Sequence, residues 1–256
     1  MARGAPVALA VTAFITSFIT SGLAAATAHA APGVTGSVTF DGPAPERTKV
    51  RRDTDPYCAK TEQLSDDVVV TNGKLKDVLV RIKNGSYPAA KPAAKPAAGA
   101  SAAAAAPAPA AIDQKDCAYS PHVIGVVAGQ PLVVRNSDGT FHNVHGTIAG
   151  KLTWNKPAAP GDPALTLDNP AKPGDVIEVV CDIHPWMHAY AVVQDHTKFA
   201  VTGEDGAFEI PDLRPGTYTI EAWHPVLGLK STTVKIGVGA RGAASVKLTY
   251  TRSDLK

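Results

Sequence analysis

Past residue 30 the chain never sustains an apolar repeat of 3.6 residues. Its apolar side chains instead alternate in short runs closed by Gly, Pro, Asn and Asp, which confines it to an all-β fold. Residues 33–40 alternate and stop at Asp41-Gly42-Pro43. Residues 68–70 and 78–82 read as two strands around a hairpin turn at Asn72-Gly73. Further strands are expected over 123–127, 132–135, 164–167, 176–181 and 189–194. After His196, residues 199–201 and 208–210 flank the hairpin signal Gly203-Glu204-Asp205-Gly206, and 218–223 and 245–250 alternate again.

The ends and the middle of the chain differ in kind from these strands. Residues 1–30 read as a signal peptide, with Arg3 in a basic start, an apolar run from 7 to 26 and the A-x-A end Ala28-His29-Ala30. No stop-transfer pattern follows, and no later stretch approaches the roughly 18 apolar residues of a membrane span. The expectation is an exported chain, periplasmic or secreted, that is not membrane-spanning after signal cleavage. Residues 31–256 suffice for two small domains of roughly 100 residues each. Residues 84–111 form an Ala/Pro/Lys tract that cannot bury enough surface to order itself, so they read as a linker. The net charge of +2, with no basic run interleaved with aromatics, gives no expectation of a nucleic-acid partner.

The chemistry is concentrated in Cys181-Asp182-Ile183-His184-Pro185-Trp186-Met187, together with Phe141-His142-Asn143-Val144-His145 upstream. One thiolate, two imidazoles and one thioether form the donor set of a mononuclear copper site with a weak axial Met. Met187 is the only methionine besides Met1. Cys181, His184 and Met187 are spaced three apart, so one short turn can aim all three inward. His142 must come from another strand. Export also bears on the other two cysteines: in an oxidising compartment thiols pair, so Cys58 and Cys117 are expected to form a disulfide, leaving Cys181 as thiolate. His145 and His188 are extra imidazoles beside the site. Strand alternation turns His145 to the face opposite His142, and His188 is expected to point away. His122, His196 and His224 sit at strand ends and are assigned no role.

These motifs carry a resemblance. Ala118-Tyr119-Ser120-Pro121, Val126-Val127-Ala128-Gly129-Gln130, Val133-Val134-Arg135-Asn136-Ser137-Asp138 and the two histidine-bearing runs resemble a cupredoxin, and the short ligand loop is most like that of amicyanin. The resemblance covers roughly residues 112–195. It implies a Greek-key β-sandwich and one copper held by His142, Cys181, His184 and Met187, with Asn143 bracing the loop. It also implies that the loop histidine emerges through an apolar surface patch, with Pro185 and Trp186 as partner-contact surface. Val180 and Phe141 depart from the family, which often has an aromatic before the Cys and a proline before the first His. Residues 200–208 and Leu213-Arg214-Pro215-Gly216-Thr217-Tyr218 resemble the carboxypeptidase regulatory-like domain, a small transthyretin-like β-sandwich. Residues 32–83 and 196–256 are then expected to form one discontinuous second sandwich, with the cupredoxin inserted.

The resulting expectation is a type 1 (blue) copper protein that carries one electron at a time to a redox partner protein. Cys181 is its main conduit and His184 the exit. Copper delivery or protection without turnover is the alternative. No enzymatic activity is expected: the chain lacks the His-x-His pairs of multicopper oxidases, and the paired loop cysteines of the dinuclear copper A site.

Overall fold

The computed structural model describes Met1 and residues 32–88, 109–237 and 242–255. Residues 2–30 of the expected signal peptide and 89–108 of the expected linker lie outside them. Among the described residues no helix is long and apolar enough to cross a membrane.

The chain is all-β. It opens with β1 (Gly33–Asp41), β2 (Val70–Thr71), β3 (Lys74–Leu75) and β4 (Leu79–Ile82). Nine strands follow: β5 (Ala110–Lys115), β6 (Ala118–Ser120), β7 (Val123–Val127), β8 (Leu132–Asn136), β9 (His142–Ile148), β10 (Lys151–Ala158), β11 (Leu165–Leu167), β12 (Val176–Val180) and β13 (His188–Gln194). The C-terminal group is β14 (Phe199–Val201), β15 (Ala207–Ile210), β16 (Gly216–His224), β17 (Gly228–Ile236) and β18 (Ala243–Thr251).

Strands β5 to β13 make two facing sheets, ordered β10-β9-β12-β13-β7 and β11-β8-β5-β6. Between them lies a core of Ile112, Val126, Leu132, Val134, Val144, Ile177, Val179 and Val193, into which Cys181 and Met187 are also buried. A second pair of sheets draws on both ends of the chain. In one, β1 runs parallel to β18 and antiparallel to β15 and β3; in the other, the order is β14-β4-β16-β17. Their shared core joins Val34, Val38, Leu75 and Ile82 to Ile210, Ile220, Leu248 and Tyr250. A small third cluster, Leu79, Val123 and Val192 with Phe199 and Trp223 against it, seals the two sandwiches together. Arg81 reinforces that joint by donating to Glu221 at 2.9 Å and to Gln194 at 3.3 Å.

Two expected hairpins pair differently from the sequence reading. The turn Asn72-Gly73 exists, with φ of 52° and 74°, as a two-residue hairpin with both central residues left-handed requires. It joins β2 to β3, however, and residues 78–82 belong to the opposite sheet. The turn at residues 203–206 likewise connects strands of different sheets, since β14 pairs with β4 and β15 with β1. Strands β3, β5, β6, β9, β10 and β17 were not apparent from alternation. Strand β9 is polar because its first residues face the site, and β10 and β17 are edge strands rich in Lys, Thr and Asn. Strand β5 begins at Ala110, within the stretch read as linker, rather than at Ile112.

Candidate metal centre

Strand β12 ends one residue before Cys181, and the loop that follows doubles back into β13. It closes on itself: the Met187 N–H donates to the His184 carbonyl at 2.9 Å, and the Cys181 N–H to the Met187 carbonyl at 3.3 Å. Strand β9, paired with β12, places His142 at its first residue beside this loop. Three donor atoms converge there. His142 Nδ1 and His184 Nδ1 are 2.9 Å apart, and Cys181 Sγ is 3.9 Å from the first and 3.7 Å from the second. All three residues are 1% exposed or less, as is Met187.

Each ring is fixed from behind. His142 Nε2 lies 2.9 Å from Asp138 Oδ2, and His184 Nε2 lies 3.0 Å from Asp55 Oδ2. Ionised carboxylates only accept hydrogen bonds, so each imidazole must carry its proton on Nε2, which leaves Nδ1 to the interior. Asp138 is itself clamped by the N–H groups of Asp116 (2.7 Å) and Cys117 (2.9 Å). Those two residues form the β5–β6 turn at φ of 57° and 53°, a left-handed conformation that costs about 1–2 kcal/mol per non-glycine residue. The turn aims both amides at one carboxylate. Asp55 accepts from the N–H of Tyr57 and Cys58 on one oxygen and from Thr140 Oγ1 on the other. Burial opposes its ionisation, yet those bonds and His184 hold its carboxyl at about 2.

Electrostatics follow the same arrangement. Burial disfavours a charge on His142, but Asp138 and Cys181 outweigh it and lift the ring to about 9. Burial also raises the Cys181 thiol. The His142 ring and the backbone amides of Asn143, His184 and Ile183 reverse this and favour thiolate. Burial lowers His184; Asp55 opposes that, and the charge of His142 adds to it.

This donor set fits a metal cation. Two Nδ1 lone pairs and a thiolate face one another, and only a shared cation satisfies all three; in the metal-free chain the proton of His142 serves. A point equidistant from the three atoms lies about 2.1 Å from each, matching metal–imidazole and metal–thiolate bonds of about 2.0–2.3 Å.

Asn143 lies where the loop needs a brace. Its Oδ1 accepts the Asp182 N–H at 2.8 Å and its Nδ2 donates to Asp182 Oδ2 at 2.7 Å. His145 faces the other way and bonds Asp182 at 2.7 Å. His188 turns to the Pro185 carbonyl at 2.7 Å. Cys58 and Cys117 form a disulfide.

The surface differs from expectation. His184 does not emerge but lies beneath Asp55 and the Trp186 ring, whose centroid is 5.1 Å away. Trp186 is half-buried and donates its N–H to the Cys117 carbonyl at 3.0 Å, which ties it into the core; Pro185 is exposed. Two carboxylates escaped sequence reasoning. Asp138 stands four residues before His142 and could have been sought there. Asp55 is 129 residues from its ring and gives no local signal.

No protein-family model and no curated protein matches the chain. Among solved structures it is similar to a cupredoxin, to amicyanin variants and to part of a copper enzyme. A novel purple cupredoxin from Nitrosopumilus maritimus is 22% identical and covers 33% of this chain and 99% of its own, with a TM-score of 0.28. A reduced Cu(I) amicyanin variant is also 22% identical, covering 36% of this chain and 87% of its own, with a TM-score of 0.31. A Cu-containing nitrite reductase from Thermus scotoductus SA-01 is 20% identical over 40% of this chain and 25% of its own, with a TM-score of 0.31.

Proposed function

We propose that the protein is an exported type 1 copper protein. In this reading one copper would be held by the Nδ1 atoms of His142 and His184 and the Sγ of Cys181, with Met187 as a fourth, weaker donor. The observation that carries the reading is the buried triangle of two Nδ1 atoms and one thiolate, each ring locked by a carboxylate on its far nitrogen. Bound copper would supply a one-electron couple there. The chain's own residues hold the three donors in place, keep water out, and use Asn143 to stop the loop from shifting as the charge changes. The second sandwich is read as a carboxypeptidase regulatory-like domain, and the carrier's partner as a redox protein. No catalytic role is assigned.

Copper delivery or protection is the second reading, and the burial of His184 favours it. A covered ring edge lengthens the path to a docked partner. The deciding experiment is visible absorption and electron paramagnetic resonance after one equivalent of Cu(II), with Cys181→Ser alongside. An intense thiolate-to-copper band with narrow hyperfine splitting, lost in the variant, is expected. An ordinary Cu(II) spectrum indifferent to the substitution would sink the type 1 assignment. Slow electron exchange with ready release of Cu(I) would select delivery over carriage.

A further inference from the structure

We propose that Asp55 is a positioning residue of the metal centre. It holds the distal N–H of His184 so that Nδ1 faces Cys181 and His142, and it closes that ring edge to solvent and to partners. The inference rests on the copper reading of those three residues.

Asp55 comes from the segment between β1 and β2, outside the strands that build the site. That segment is strapped across the site by several independent contacts. Cys58 is bonded to Cys117. Arg52, 5% exposed, donates to the Asp116 carbonyl at 2.5 Å, while its bond to Thr61 at 3.3 Å lies within the segment itself. Tyr57 packs over Gly139, where a Cβ would lie 2.8 Å from its ring. The loop beneath the strap meets it at two consecutive residues, where Gly139 admits Tyr57 and Thr140 donates to Asp55 at 2.8 Å, directly after Asp138, which backs His142.

The division of work between the two Asp55 oxygens separates positioning from plain turn formation. Oδ1 accepts the N–H groups of Tyr57 and Cys58, which is all the turn requires. Oδ2 is committed to Thr140 and His184. A carboxylate at that distance fixes the tautomer, makes the ring a better donor, and favours the more highly charged state of a metal on the opposite nitrogen.

Asp55→Asn separates the two roles, because it keeps an acceptor for the turn and presents an NH2 group to the ring. Nitrogen-15 histidine NMR on the metal-free full chain should show a slowly exchanging His184 Nε2–H. Asp55→Asn should turn it into a rapidly exchanging one. Asp53→Asn, which removes a charge from the same strap at an exposed residue paired with Arg51, should leave it unchanged. Loaded with copper, Asp55→Asn should move the relative affinity about tenfold toward Cu(I), a potential about 59 mV higher. An equally protected N–H in Asp55→Asn, or a potential equal to that of Asp53→Asn, would overturn the proposal. A wild-type protein with no thiolate–copper band, but with an N–H that Asp55→Asn releases, would support the positioning role and sink the copper reading alone.

Discussion

His142 and His224 are equally hidden, at 0% and 1% exposed, one in each sandwich, and their surroundings drive them in opposite directions. His142 has Asp138 on one nitrogen and Cys181 within 3.9 Å of the other, and its ring is raised to about 9. His224 accepts the N–H groups of Val226 and Leu227 on Nδ1, at 3.2 and 3.3 Å, and burial drives it down to about 3. Burial alone thus makes a neutral structural imidazole. A carboxylate behind the ring and a thiolate in front favour a charged one. The sandwiches differ in the same sense: one has an apolar core continuing into a polar, charge-paired end, and the other is closed by Tyr250, whose hydroxyl donates to the Ala222 and Gly228 carbonyls.

The hardest way to break this contrast is to break the joint that makes the two sandwiches one body. Leu79 is fully buried with Val123 and Val192 between them. Leu79→Ala should cost about 2–5 kcal/mol of unfolding free energy and split one denaturation transition into two. A single transition displaced by less than about 1 kcal/mol would show that the joint is not a shared core.

The acid behaviour of His224 sharpens the comparison. Its folded value is depressed, so below pH ~6.5 the unfolded chain takes up a proton that the folded chain refuses. Stability should therefore fall as pH drops, by about 1.4 kcal/mol per unit from pH ~6.5 to ~3, and then level off. His224→Asn should flatten that limb in urea titrations run across pH. An unchanged slope would place the acid sensitivity elsewhere.

Smaller in free energy is the support beneath His142. Asp138→Asn should weaken copper binding about 10- to 100-fold in a competition titration, whereas His224→Asn should leave it unchanged. Equal effects would mean that affinity follows general packing rather than the carboxylate behind the ring.

The strand framework and the donor set were legible at different ranges. Alternation revealed β1 and β12, where buried and less buried residues take turns, while β7 and β13 showed as short apolar runs, because their second face is covered at the joint between the sandwiches. It missed β9, whose His142 and Asn143 are buried polar residues, and β10 and β17, where solvent dictates the composition. The turn signals at Asn72-Gly73 and at residues 203–206 specified where the chain reverses, not which strands pair across the reversal. The site reads the same way. The spacing of Cys181, His184 and Met187 is local and shows in the loop, as does Asn143 beside His142.

Readable from the residues alone were the all-β class, the cysteine left over from a pair, and the candidate donors within one loop and one strand end. Each of these follows from local chemistry: backbone periodicity, turn geometry and ligand type at short spacing. The pairing of β1 with β18, and the covering of His184 by Asp55 and Trp186, depend on contacts between distant parts of the chain. The physical reason is the reach of the interactions. A hydrogen bond extends about 3 Å in space, and Asp55 meets His184 across 129 residues of chain. Only the folded path of the strap, fixed by the disulfide and Arg52, brings them together.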